Sequence, residues 1–104
     1  MRSIYRDISA THMSPRTVVL RQGETAVRIY FRFASPFLTS TPTVKFYIEE
    51  LFASAVVTSE EACYVDITGE MTQDIGEYRG NLHITDGSYT ALSPTVILVV
   101  EEVA

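Results

Sequence analysis

Residues 26–33 read AVRIYFRF, two arginines and three aromatics within eight residues. Alternation with a period of two is the mark of a β-strand that buries one face. Val27, Ile29, Phe31 and Phe33 fall on one side, which is wholly apolar, and Arg28, Tyr30 and Arg32 fall on the other. A strand built to stack on nucleic acid would carry its aromatics and its cations on the same exposed face. Here the two phenylalanines lie with the aliphatic residues, and only Tyr30 stands between the arginines. The glycines of an RNA-recognition strand are missing, and the net charge of −5 opposes counterion release from a polyanion. The stretch therefore predicts half of a hydrophobic core and no nucleic-acid partner. Its outer face, Arg28, Tyr30 and Arg32, is a candidate protein contact, because tyrosine and arginine are enriched where interfaces bind most tightly.

The same period recurs along the chain. Val44, Phe46 and Ile48 oppose Lys45, Tyr47 and Glu49. Cys63, Val65 and Ile67 oppose Tyr64, Asp66 and Thr68, and Tyr78, Gly80, Leu82 and Ile84 oppose Glu77, Arg79, Asn81 and His83. Shorter strand signals lie at 3–9, 17–20 and 55–59. Gly23, Gly69, Gly76, Pro36, Pro42 and an Asp86-Gly87 turn separate the runs. One helix signal, EELFASA at 49–55, is too short to stand alone. Short strands with turn chemistry between them predict an all-β, antiparallel sandwich of seven to eight strands without a disulfide. Residues 1–104 read as a single domain, with 1–16 as an N-terminal segment that can add a strand. A chain of this length can bury roughly 65% of its unfolded surface, enough for one core without staples. The core expected from the alternation is Val27, Ile29, Phe31, Phe33, Val44, Phe46, Ile48, Val65, Ile67, Tyr78, Leu82, Ile84, Leu98 and Val100.

Val96–Val100 is apolar on both faces. Val96, Leu98 and Val100 can fill a core, which leaves Ile97 and Val99 in need of cover. Two sources of cover are open: Ile4 and Tyr5 of the N-terminal segment, or another protein surface, including a second copy. The second makes Ile97 and Val99 candidate interface residues and predicts a homo-oligomer. Charge is also unevenly placed. Residues 1–45 hold seven basic and two acidic residues, whereas residues 46–104 hold one basic and eleven acidic.

Catalysis is not expected. Glu49-Glu50 and Glu60-Glu61 are adjacent pairs, and neighbours on a strand point to opposite faces, so neither pair can share a substrate as acid and base. No nucleophile elbow, phosphate loop or zinc-protease motif occurs. His12 and His83 lie far apart, and Asp66, Asp86 and Glu70 lack calcium-loop spacing, so neither metal nor cofactor is expected. The single cysteine, Cys63, reads as a buried, inert thiol. The longest apolar run has five residues against the ~20 that a spanning helix needs, so no membrane is expected. The opening MRSIYRDISATHM has no apolar centre, so no secretory signal is expected either.

Two stretches carry a resemblance to known families. DIGEY, Asp74 to Tyr78, resembles the Asp-x-Gly-x-Tyr of immunoglobulin-like domains. The resemblance implies a tyrosine corner, with Gly76 permitting the turn and the Tyr78 hydroxyl bonding back to its backbone. Gly80 stands where antibody-type domains carry a cysteine, and there is no tryptophan, so the resemblance implies the disulfide-free immunoglobulin-like class. More widely, VLRQGET (19–25, centred on Leu20, Arg21, Gly23, Glu24 and Thr25), VKFYIE, GEYRGNLHITDG and the closing apolar strand resemble the N-terminal domain of phage baseplate upper proteins. That family implies a structural and interaction protein of a bacteriophage particle, a tail, baseplate or other virion adaptor. It would be made in the host cytoplasm and act on other virion proteins or on copies of itself. A second class stays open, a cell-surface or envelope module of immunoglobulin or fibronectin type that holds a glycan or a peptide.

Overall fold

A computed structural model of the chain describes residues 1–7, 16–33, 42–59, 61–86, 89–93 and 95–103. It contains ten strands: β1 (Arg2–Asp7), β2 (Arg16–Arg21), β3 (Val27–Arg32), β4 (Thr43–Ile48), β5 (Leu51–Ser54), β6 (Val56–Ser59), β7 (Ala62–Asp66), β8 (Gly76–Asp86), β9 (Tyr89–Leu92) and β10 (Val96–Glu101). One 3-10 turn, Gly69–Thr72, leads from β7 into β8. The strands form two sheets, one of four strands in the order β1-β3-β7-β6 and one of six in the order β2-β10-β8-β4-β5, with β9 also paired to β8.

The sandwich differs from the sequence expectation in two ways. Among the described residues it has ten strands rather than about seven to eight, and two pairings, β1 with β3 and β10 with β2, are parallel. The cause is the path of the chain. It leaves the four-stranded sheet after β1, enters the other as β2, and returns as β3 beside β1, running the same way. The helix signal at 49–55 is also overturned. Glu49-Glu50 is a turn with Glu49 at φ 53, and Leu51–Ser54 folds back as β5 against β4. Leu51 and Ala53 pack toward the core while Phe52 is exposed, a period of two too short to outvote helix propensity on paper.

Alternation fills the space between the sheets. Eleven of the fourteen expected core residues are buried; Phe33, Tyr78 and Ile84 are half-buried against them. Phe31 of one sheet meets Phe46 of the other, with ring centroids 5.7 Å apart and planes 42° apart. Val18, Leu20, Cys63, Val96 and Met71 complete the cluster. Gly23 turns β2 into β3 at φ 82, a value glycine adopts without cost. β8 and β9 pair with Asp86 opposite Tyr89. Gly87 of the expected Asp-Gly turn, Pro36 and His12 lie outside the described residues.

Side chains, not backbone pairing, tie β1 to β2, which are edges of different sheets. The guanidinium of Arg2 donates to the Val19 carbonyl at 2.9 Å and that of Arg6 to the Thr17 carbonyl at 3.1 Å. These alternate carbonyls lie on the edge of β2 that β10 leaves open, so two arginines satisfy acceptors that would otherwise invite a foreign strand. On the opposite side the chain itself crosses from β5 to β6, with the Ala55 amide bonded to the Val44 carbonyl at 2.8 Å.

Candidate functional site

The pairing of the four-stranded sheet sets a row of aromatic rings across its outer face. Tyr5 of β1 stands opposite Tyr30 of β3, and Tyr30 opposite Tyr64 of β7. All three belong to the alternate positions that the core does not take. Tyr5 stacks on Tyr30 at 4.9 Å with planes 10° apart, and Tyr30 meets Tyr64 at 5.6 Å and 54°. Tyr5 is 69% exposed. Of this row the sequence makes only Tyr30 a candidate contact, and Tyr5 only a possible cover for Ile97 and Val99. Tyr5 and Tyr64 lie on other strands, and register alone brings them beside it.

The arginines flank this row unequally. Arg28 sits opposite Asp66 and grips both carboxylate oxygens, at 2.8 and 3.2 Å. Its guanidinium also lies 3.9 Å from the centre of the Tyr64 ring, a cation–π contact. The hydrogen bond to Asp66 raises the pKa of Arg28 further above its ordinary value. This arginine is committed to the sheet. Arg32, at the far end of β3, is 71% exposed and reaches Glu61 only at 3.7 Å. Arg6 bonds its own strand at the Tyr5 carbonyl as well as Thr17 on β2. Arg6, Arg32, Tyr5 and Tyr30 border a groove of about 440 Å³ floored by Phe31 and Ala62.

Ile97 and Val99 lie on the outer face of the other sheet, so the structure does not bring them together with Arg28, Tyr30 and Arg32. Of the two sources of cover, the intrachain one is not used: β1 pairs with β3, which turns Tyr5 to the opposite side of the sandwich and lets Ile4 pack on the core. Ile97, between Arg79 of β8 and Thr17 of β2, is only 8% exposed, and Val99 is half-buried. On the same face Tyr47 touches Phe52 (5.5 Å between rings) and His83 (4.2 Å). His83 is half-buried, and its Nε2 lies 3.1 Å from Asn81 Oδ1.

At the opposite end from Arg32 the strand β8 begins in a corner. The Tyr78 hydroxyl donates to the Asp74 carbonyl at 2.9 Å, four residues back. Gly76 lies beneath, and a Cβ there would come within 3.2 Å of that hydroxyl. Beside the corner, the Glu49-Glu50 turn and the segment after β7 enclose an open cleft of about 530 Å³. Its described lining holds four carboxylates, Glu49, Glu50, Glu70 and Asp74, and no Lys, Arg or His. Asp66 is outside this group, bound to Arg28, and the side chain of Asp86 lies outside the described residues.

The fold has a solved counterpart. The chain is similar to the N-terminal domain of phage TP901-1 ORF48, with a TM-score of 0.75 and 14% sequence identity over 97% of this chain and 99% of that one. At that identity the likeness is one of fold. No protein-family model matches the chain, and no curated protein is similar to it in sequence.

Proposed function

We propose that this chain is a non-enzymatic structural subunit of a bacteriophage particle, an adaptor of the tail or baseplate that works through protein–protein contacts. The observation that carries the reading is the end-to-end fold match to a domain of a phage protein, 97% of one chain on 99% of the other. The outer faces suit the role. Tyr5, Tyr30 and Arg32 on one sheet, and Phe52 and Val19 on the other, are outward-facing side chains of types that anchor protein interfaces or cover them. Ile97 and Val99 would contribute a smaller apolar strip to the second face.

The test is the composition of the particle. Virions purified from the source strain after induction should contain the chain at a fixed copy number relative to the other tail proteins. Deletion of its gene should leave particles with incomplete tail tips under the electron microscope. Intact, infectious particles that lack the chain would overturn the reading.

A further inference from the structure

The groove bordered by Arg6, Arg32, Tyr5 and Tyr30 and the exposed Glu49-Glu50 turn beside the carboxylate-lined cleft are opposite in charge. The groove is concave, with two arginines and no carboxylate in its described lining. The Glu49-Glu50 turn is the tip of the β4–β5 hairpin, and both residues are exposed. One molecule cannot join the two. The Ile67 amide bonds to the Val27 carbonyl at the start of β3, and Thr72 bonds to Glu24 just before it, which ties the cleft segment to the start of β3. Arg32 ends that strand, roughly 17 Å away at the rise of an extended chain.

We propose that a second copy of this chain docks head to tail, with its Glu49-Glu50 turn inserted into the Arg6–Arg32 groove of the first. The carboxylates meet the guanidinium of Arg32, whose 3.7 Å contact to Glu61 leaves its donors available, and the stems of the glutamates lie along the Tyr5 and Tyr30 rings. Groove and tip are different surfaces at different ends of a body 44 Å long, so the contact is heterologous. Repeated, it closes into a ring or extends as a filament rather than stopping at a two-fold dimer. The inference goes beyond the virion reading and does not depend on it.

Sedimentation of the purified chain is the test. At low ionic strength the mass should rise with concentration, and in molar salt it should return to that of the monomer, since screening there acts within about 3 Å. Arg32→Glu alone and Glu50→Lys alone should each remain monomeric with unchanged near-ultraviolet dichroism. An equimolar mixture of the two should associate again, because each groove then finds a tip of opposite charge. If either variant loses its fold, Arg32→Gln and Glu50→Gln replace them and should weaken association at least tenfold. A wild type that stays monomeric at every concentration overturns the proposal. So do charge variants that assemble as the wild type does, and a mixture that stays apart. A monomeric wild type whose tyrosine fluorescence is quenched by single-stranded DNA or a soluble glycan would instead give the groove to that occupant.

Discussion

Gly80 lies directly against the carbonyl oxygen of Tyr47: a Cβ built on it would collide with that oxygen and with the Ile48 side chain. The contact exists because Gly80 is the point where β8 is paired on both sides, to Ile48 of β4 and to Val96 of β10. Two residues after Tyr78, the chain thus carries the one residue type that lets these strands close up.

Gly80→Ala should therefore be among the most damaging small substitutions in the chain. Backbone on one side leaves no flexible neighbour to yield, so the loss should reach or exceed the ~3 kcal/mol upper range of ordinary overpacking. Urea denaturation monitored by far-ultraviolet dichroism measures it, with Gly23→Ala as a comparison. At Gly23 a Cβ meets nothing within 4 Å and only the positive φ is at stake.

Phe31 and Phe46 bridge the two sheets, and each is essentially inaccessible to solvent. Phe31→Ala or Phe46→Ala should cost ~3–5 kcal/mol, a large part of what a small domain has. Melting temperatures equal to the wild type would mean that the inward face of β3 is wrong.

Tyr78→Phe keeps the ring and removes the donor to Asp74. The Asp74 carbonyl is near solvent and can take up a water, so the expected loss is ~0.5–1.5 kcal/mol rather than that of a deeply buried acceptor. Chemical denaturation resolves a change of this size, and amide exchange around 74–78 should quicken.

Burial pushes the Cys63 thiol up to about 12, from an ordinary 9.0. Below pH 9 the thiol is protonated in both states and its contribution is constant. Between pH 9 and 12 the unfolded chain releases the proton and the folded chain keeps it. Stability should therefore fall with rising pH, by no more than ~1.4 kcal/mol per unit from this group. The difference between wild type and Cys63→Ala across that window isolates the effect. A thiol reagent should label Cys63 only after denaturation.

The faces of the strands were legible in the sequence, and their neighbours were not. Alternation in 26–33, 44–48, 63–67 and 96–100 assigns inside and outside correctly because burial acts on each strand separately. Val18 and Leu20 were passed over as core because their strand signal covers four residues, and Met71 because it lies on a 3-10 turn without a period of two. Parallel pairing leaves no local trace, since it depends on where the chain crosses between sheets. The candidate site shows the same division. Arg28, Tyr30 and Arg32 share a face by spacing alone, but only the pairing of three strands adds Tyr5 and Tyr64 and reveals that Arg28 is held by Asp66 while Arg32 is not.

The pairing of β2 with β10 bears on how the chain is made. As the ribosome releases it from the N-terminus, β2 emerges early, yet among the described residues its backbone partner in the sheet is β10, some eighty residues later. Until β10 arrives, the buried side chains Val18 and Leu20 have no sheet to join. Pairings of such long sequence separation also form late in the folding of β-rich chains, because a large loop must close first. A chain truncated before Val96 would lose more than one strand. It would leave β2 unmoored, bare the edge of β2 that β10 covers, opposite the one that Arg2 and Arg6 occupy, and present nascent chains with their main opportunity to aggregate.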